Sequence, residues 1–159
     1  MKTLIVYATK HGATAKIAQH ISENIQNSTL CDLKEGKVPN IQEFDCIIIG
    51  SSIYAGSARK EAKKFVAENA NTLCQKRVGL FLSAMSAKEE ECNTYFEKNF
   101  DAKVLQTAKA KAALGAVTDP QKMNALERFI IKAVTKSKDY KNTIDAEKIK
   151  QFAKDMIGE

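Results

Sequence analysis

The chain has no tryptophan, two prolines, seven glycines and two histidines among its 159 residues. With 44% hydrophobic and 28% charged residues, that scarcity excludes collagen-like, low-complexity and disordered chains. No apolar run approaches the roughly 20 residues that a membrane-spanning helix needs. Cys46-Ile47-Ile48-Ile49 has the size of a strand. The early patch Leu4-Ile5-Val6-Tyr7 is too short for a signal-peptide core, so a cytoplasmic location is expected. Cys31, Cys46, Cys74 and Cys92 lie far apart, with no C-x-x-C and no His/Cys cluster. Zinc and thioredoxin chemistry lose their basis, no metal site is expected, and reduced, mostly buried thiols are the default. No Ser/His/Asp or Cys/His set marks a nucleophile, and no catalytic residue is assigned.

What is present is a regular alternation of strand and helix patterns. The length fits a single domain spanning residues 1–159. Leu4 to Ala8 reads as a buried strand, followed by Ile17, Ala18, Ile21 and Ile25 at helical spacing, with Thr14 as the expected N-cap. Residues 29–33 form a second strand and residues 45–49 a third, ending at Gly50. Ala62, Phe65, Val66, Ala70 and Leu73 mark a helix, and residues 78–82 a fourth strand. Residues 88–100 read as a helix with Cys92, Tyr95 and Phe96 inside. Residues 110–117 form a fifth strand bent at Gly115, and Ile149, Phe152, Ala153 and Met156 a closing helix. Strands separated by helical crossovers imply an α/β doubly wound parallel sheet covered on both faces.

One segment exceeds this pattern. Thr118-Asp119-Pro120 looks like a helix start, and Met123, Leu126, Ile130 and Val134 supply an apolar face expected to pack on the domain. Lys122, Arg128, Lys132 and Lys136 load the remainder with charge. An extra basic helix over residues 121–136 is therefore expected after the fifth strand. The formal net charge of +6 suits acidic partners, anionic lipid or nucleic acid, or simply keeps the protein dispersed.

Three loops at the carboxyl ends of strands carry the chemistry. The first, Thr9-Lys10-His11-Gly12-Ala13-Thr14, opens into a helix, whose free N–H groups and partial positive charge suit an anion. It is neither a Walker A motif nor G-x-G-x-x-G, which argues against nucleoside triphosphate and NAD. The second holds Ser51, Ser52, Ile53, Tyr54, Ala55 and Gly56, where Tyr54 is placed to lie against an aromatic ligand. The third holds Ser83, Ala84, Met85 and Ser86. Open parallel sheets bind ligands outside the carboxyl ends of their strands, so the three loops are expected to form one site.

T-x-H-G-x-T after strand one, together with G-S-S-I-Y-A-G after strand three, resembles the flavodoxin family. The resemblance runs from residue 1 to about 117 and resumes at the last helix. It implies non-covalently bound FMN in a sheet of order 2-1-3-4-5, with phosphate contacts at Thr9, Gly12 and Thr14; His11 stands where the family usually has Thr. T-x-x-G-x-T-x-x-I-A at residues 9–18, I-G-x-S-I-x-x-G at 49–56, Phe65-Val66 and the stretch around Glu127 to Lys132 resemble more narrowly the menaquinone-dependent protoporphyrinogen dehydrogenases. That resemblance implies electron transfer from a porphyrinogen to a quinone, with peripheral contact to an anionic membrane. The positive net charge is unlike the acidic flavodoxin shuttles.

The implied functions are an FMN electron-transfer protein serving a redox partner protein, or an FMN-dependent protoporphyrinogen IX dehydrogenase with a quinone acceptor. Neither has nucleic acid as partner. A flavin-free receiver module lacks support, because strand one ends without an acidic cluster and strand three without an acceptor Asp. Glu89, Glu90 and Glu91 lie beyond the third loop. They read either as charges that lower a flavin's potential or as a solvated first helical turn.

Overall fold

The computed structural model describes residues 1–85, 88–136 and 139–158, without the side chains of Val134 and Thr135. In chain order the elements are β1 (Thr3–Ala8), α1 (Ala13–Glu23), β2 (Ser28–Asp32), β3 (Cys46–Tyr54), β4 (Ser57–Ala58), α2 (Lys60–Leu73) and β5 (Arg77–Ser83). They continue with α3 (Glu89–Asn99), α4 (Ala102–Thr107), β6 (Ala110–Ala113), β7 (Val117–Thr118), α5 (Ala125–Thr135), β8 (Lys141–Asn142) and α6 (Ala146–Ile157). The long strands lie in the order β2-β1-β3-β5-β6, all parallel. Without the two-residue β4, this is the expected 2-1-3-4-5.

Neighbouring residues of each central strand serve opposite faces. Leu4, Val6, Ile47, Ile49, Leu80 and Leu82 pack towards Phe65, Val66 and Leu73 of α2 and Phe96 of α3. Ile5, Ile48 and Phe81 pack towards Ile17 and Ile21 of α1 and Phe152 and Met156 of α6. Burial on both faces is why these strands read as unbroken apolar runs. Gly50 faces Phe81 across the β3–β5 register, and a Cβ at Gly50 would overlap the Phe81 ring.

The apolar positions of α1, α2, α3 and α6 fall as their spacing predicts. Four boundaries differ from the sequence reading. β3 runs four residues past Gly50, because β4 pairs back on Ile53 and Tyr54 and extends it. The helix α4 has no counterpart in the sequence reading; its six residues are too few for a periodic pattern, and its cap is Asp101, which accepts from Lys103 N at 2.9 Å. The expected fifth strand divides, with β6 in the main sheet and β7 paired antiparallel with β8. The expected helix 121–136 also divides, into a short 3-10 turn at Pro120–Lys122 and α5.

Asp119 caps only the short turn. α5 starts instead on a capping box, in which Asn124 Oδ1 accepts from Glu127 N at 2.8 Å and Glu127 Oε2 accepts from Asn124 N at 3.0 Å. Its expected inward face is also corrected, since Leu126 is 66% exposed. The helix turns Glu127 inward, with Ile130 and Ile131 half-buried. The segment is apolar on more than one side, so periodicity alone does not set its rotation; the pairing of Glu127 with Lys10 and His11 does. Among the described residues no helix is long and apolar enough to cross a membrane.

Candidate functional site

The sheet order reverses between β1 and β3, and their carboxyl ends open the crevice where ligands of such sheets bind. The loop after β1 is organised from within. Thr9 Oγ1 accepts from Gly12 N at 3.0 Å. Gly12 has φ +92° and, in place of the expected Thr14, is the N-cap of α1. That left-handed turn is accessible to glycine at little cost. Thr14 therefore lies inside the first turn of α1. Its residue is fully buried, and its hydroxyl has no hydrogen-bond partner within the protein. The first-turn amides of a helix have no intrahelical acceptor, so the loop presents donors to an anion.

Positive charge surrounds this cradle. Burial first, then Lys10, Lys122 and Arg59, push His11 below its ordinary value, with Asp119 opposing. Lys10 Nζ pairs with Glu127 Oε1 and lies 5.6 Å from the Tyr54 ring centroid. His11 Nε2 is 3.4 Å from the same Glu127 oxygen.

The second loop is a strand end followed by a tight hairpin. Ala55 (φ 48°) and Gly56 (φ 77°) form its two-residue tip, the positive-φ pair that hairpin twist favours. Ser51, predicted at the surface of the site, is fully buried. Its hydroxyl donates to Ser52 O at 3.0 Å and accepts from Arg59 N at 2.9 Å, so it supports the loop from beneath. Asn99 of α3 holds the hairpin from the side, donating to Gly56 O at 3.0 Å and accepting from Ala58 N at 2.9 Å.

Two adjoining cavities bring the three loops together. The smaller, about 80 Å³, is lined by Thr9, Lys10, His11 and Ala13 from the first loop, Ser52, Ile53 and Tyr54 from the second, and Ser83 and Met85 from the third. The larger, about 400 Å³, lies between Ile53 to Gly56 and Ala84-Met85, with Tyr95 and Glu91 of α3 on its wall. Gly12 and Thr14 line neither cavity. Ser86 lies outside the described residues.

Several wall residues were missed by the sequence reading. Arg59 and Tyr95 reach the cavities from elements with no motif of their own, and Met123 and Ile131 reach them from the segment expected as an extra basic helix. Asn99 likewise leaves no sequence signal. Glu127 leaves one, the N-x-x-E spacing from Asn124 that marks a capping box, although that pattern says nothing of Lys10. Among the described residues no cluster of His, Cys, Asp and Glu is able to hold a metal ion. None of the four cysteines is in a disulfide.

Comparison with known proteins places the chain. A family model described as a flavodoxin domain matches residues 4–145; the chain belongs to that family. It is similar to a protoporphyrinogen IX dehydrogenase [quinone] of Escherichia coli K12, 23% identical over 145 residues, covering 86% of this chain and 80% of the relative. In fold it is similar to the Streptococcus pneumoniae TIGR4 flavodoxin, with TM-score 0.63, 16% identity and 99% of each chain covered. A flavoprotein in complex with FMN from Lactobacillus acidophilus NCFM superposes with TM-score 0.57 and 19% identity, covering 70% of this chain and 92% of that one.

Proposed function

We propose that the chain is a flavodoxin-type redox protein that binds FMN non-covalently at the three loops, as one unit over residues 1–159 in the cytoplasm. The observation that carries this reading is Thr14, whose buried hydroxyl has no protein partner at the head of α1 in a loop ringed by cations. A buried hydroxyl left unpaired is costly, and a phosphate oxygen satisfies it. Thr9, Lys10, His11, Gly12, Ala13 and Thr14 would hold the phosphate. Ser52 to Gly56 on one side, with Ser83, Ala84 and Met85 on the other, would hold the ring. Ser86 belongs to the same proposed set.

FMN when bound supplies the electron transfer; the protein binds it, orients it and tunes it. Tyr54 offers the ring an aromatic face. Glu91 on the cavity wall puts negative charge near it, which disfavours added negative charge on the flavin. The test is the absorption spectrum of the purified chain after incubation with FMN, followed by reduction and reoxidation. A chain that takes up no flavin overturns the reading.

A second reading, an FMN-dependent protoporphyrinogen IX dehydrogenase with a quinone acceptor, is favoured by the surface around α5. A cavity of about 450 Å³ lies there between Met123 and Phe129, with Arg128 and Lys132 at its wall. Apolar walls with cations suit a large apolar ring bearing carboxylates. Leu126 and Phe129, 66% and 71% exposed, stand beside Arg128 and Lys132, a pattern that suits peripheral contact with an anionic membrane. Turnover of protoporphyrinogen by the FMN-loaded protein with a menaquinone acceptor tests it. Electron transfer to a redox partner protein without such turnover leaves the shuttle reading.

A further inference from the structure

Among the described side chains of α5, Glu127 is the buried one, at 3% residue exposure between exposed neighbours. Burying a carboxylate is costly unless cations or donors compensate it. The compensation here comes from the cradle itself. Glu127 Oε1 accepts from Lys10 Nζ and lies 3.4 Å from His11 Nε2, 117 and 116 positions away in sequence. Its other oxygen is committed to the capping box through Asn124 N. Two side-chain donors of the anion loop, Lys10 and His11, thus already face a carboxylate from a different element.

A phosphate monoester on the same loop would sit beside that carboxylate. Two anions sharing the same partly buried donors repel each other. The ≈80 Å³ cavity is walled in part by α5. Met123 and Ile131, which flank Glu127 in the chain, line that cavity. Release of Lys10 and His11 by Glu127 Oε1 therefore relieves the repulsion.

We propose that Glu127 is a resident counter-ion of the cradle, which a phosphate monoester displaces from Lys10 and His11. Carboxylate and phosphate are alternative partners of the same two side chains, so Glu127 sets how strongly the site prefers a phosphorylated ligand over its neutral form. The identity of that ligand as FMN rests on the reading above; the anion exchange does not. The N-terminal cap of α5 survives the exchange, because its two bonds use Glu127 N and Oε2, not Oε1.

The variant that tests this is Glu127→Gln. Glutamine serves a capping box as glutamate does, so the helix start is kept while the charge is removed. Inorganic phosphate is titrated into parent and variant and followed by the His11 ring resonances, with exposed His20 as internal reference. E127Q should bind phosphate about tenfold more tightly or better, the scale of one removed like-charge contact. FMN affinity should rise by a similar factor while riboflavin affinity stays unchanged. Equal or weaker phosphate binding by E127Q overturns the proposal and makes Glu127 a residue that only positions Lys10 and His11. Tighter phosphate binding with no FMN uptake by either protein upholds the exchange and discards the flavin reading. On the parent itself, phosphate should move the carbon resonance of the Glu127 carboxyl as Lys10 and His11 leave it; an unmoved resonance overturns the displacement.

Discussion

Asn99 and Gly56 are joined by a hydrogen bond of 3.0 Å from the Asn99 side-chain amide to the Gly56 carbonyl. The same side chain accepts from Ala58 N at 2.9 Å and donates to Tyr95 O at 2.8 Å. One residue of α3 therefore fixes the hairpin that carries Tyr54. Asn99→Ala removes all three bonds and leaves partly buried backbone groups unpaired. Chemical denaturation should show a loss of about 1–3 kcal/mol, and amides 54–58 should exchange faster.

Thr14 distinguishes a capping hydroxyl from one proposed to meet the ligand. Had it been the N-cap, its loss would cost about 1 kcal/mol. Its hydroxyl instead has no protein partner, so Thr14→Val should leave stability unchanged or raise it by up to about 1 kcal/mol. FMN affinity should nevertheless fall, with riboflavin affinity unaffected. Thermal unfolding without flavin and fluorescence titration with both flavins measure the two effects.

Tyr54 is half-buried and lines both cavities. Bound FMN should be strongly quenched, and Tyr54→Ala should raise its fluorescence and shift its potential. Unchanged values with FMN still bound would remove Tyr54 from the ring site.

His11 titrates below its ordinary value because burial and neighbouring cations disfavour its charged form. A group harder to protonate in the folded chain contributes stability that is complete above the unfolded value near 6.5 and is lost as pH falls through that region. NMR titration of the two histidines should place His11 below 6.5. His11→Gln should flatten the stability profile just below that pH.

Gly50 leaves the room that Phe81 occupies between the sheet and α6. Gly50→Ala forces the ring to shift inside a close-packed core, at a cost of about 1–3 kcal/mol. Gly50→Ala combined with Phe81→Leu should recover part of the loss, which denaturant unfolding of the single and double variants tests.

Ile47-Ile48-Ile49 and Val78 to Leu82 announce strands buried on both faces, and the helical spacing of Ile17 and Ile21 or Phe152 and Met156 announces their covers. These signals are local, because side-chain period and burial are written in consecutive residues. Together they determine the parallel sheet and, through the order of crossovers, the edge where the three loops meet. Thr9, Gly12 and Tyr54 were legible as residues of the loops at that edge for the same reason. The rotation of α5 was not legible, since that helix is apolar on more than one side and its inward side is chosen by Glu127 meeting Lys10, more than a hundred residues earlier. The clamp of Asn99 on Gly56 and the division of the fifth strand between two sheets are likewise pairings across distance. Sequence determines which faces seek burial and which turns bend; tertiary structure alone decides which distant partner compensates a buried charge or an unpaired backbone group, because that compensation exists only once both groups have left water.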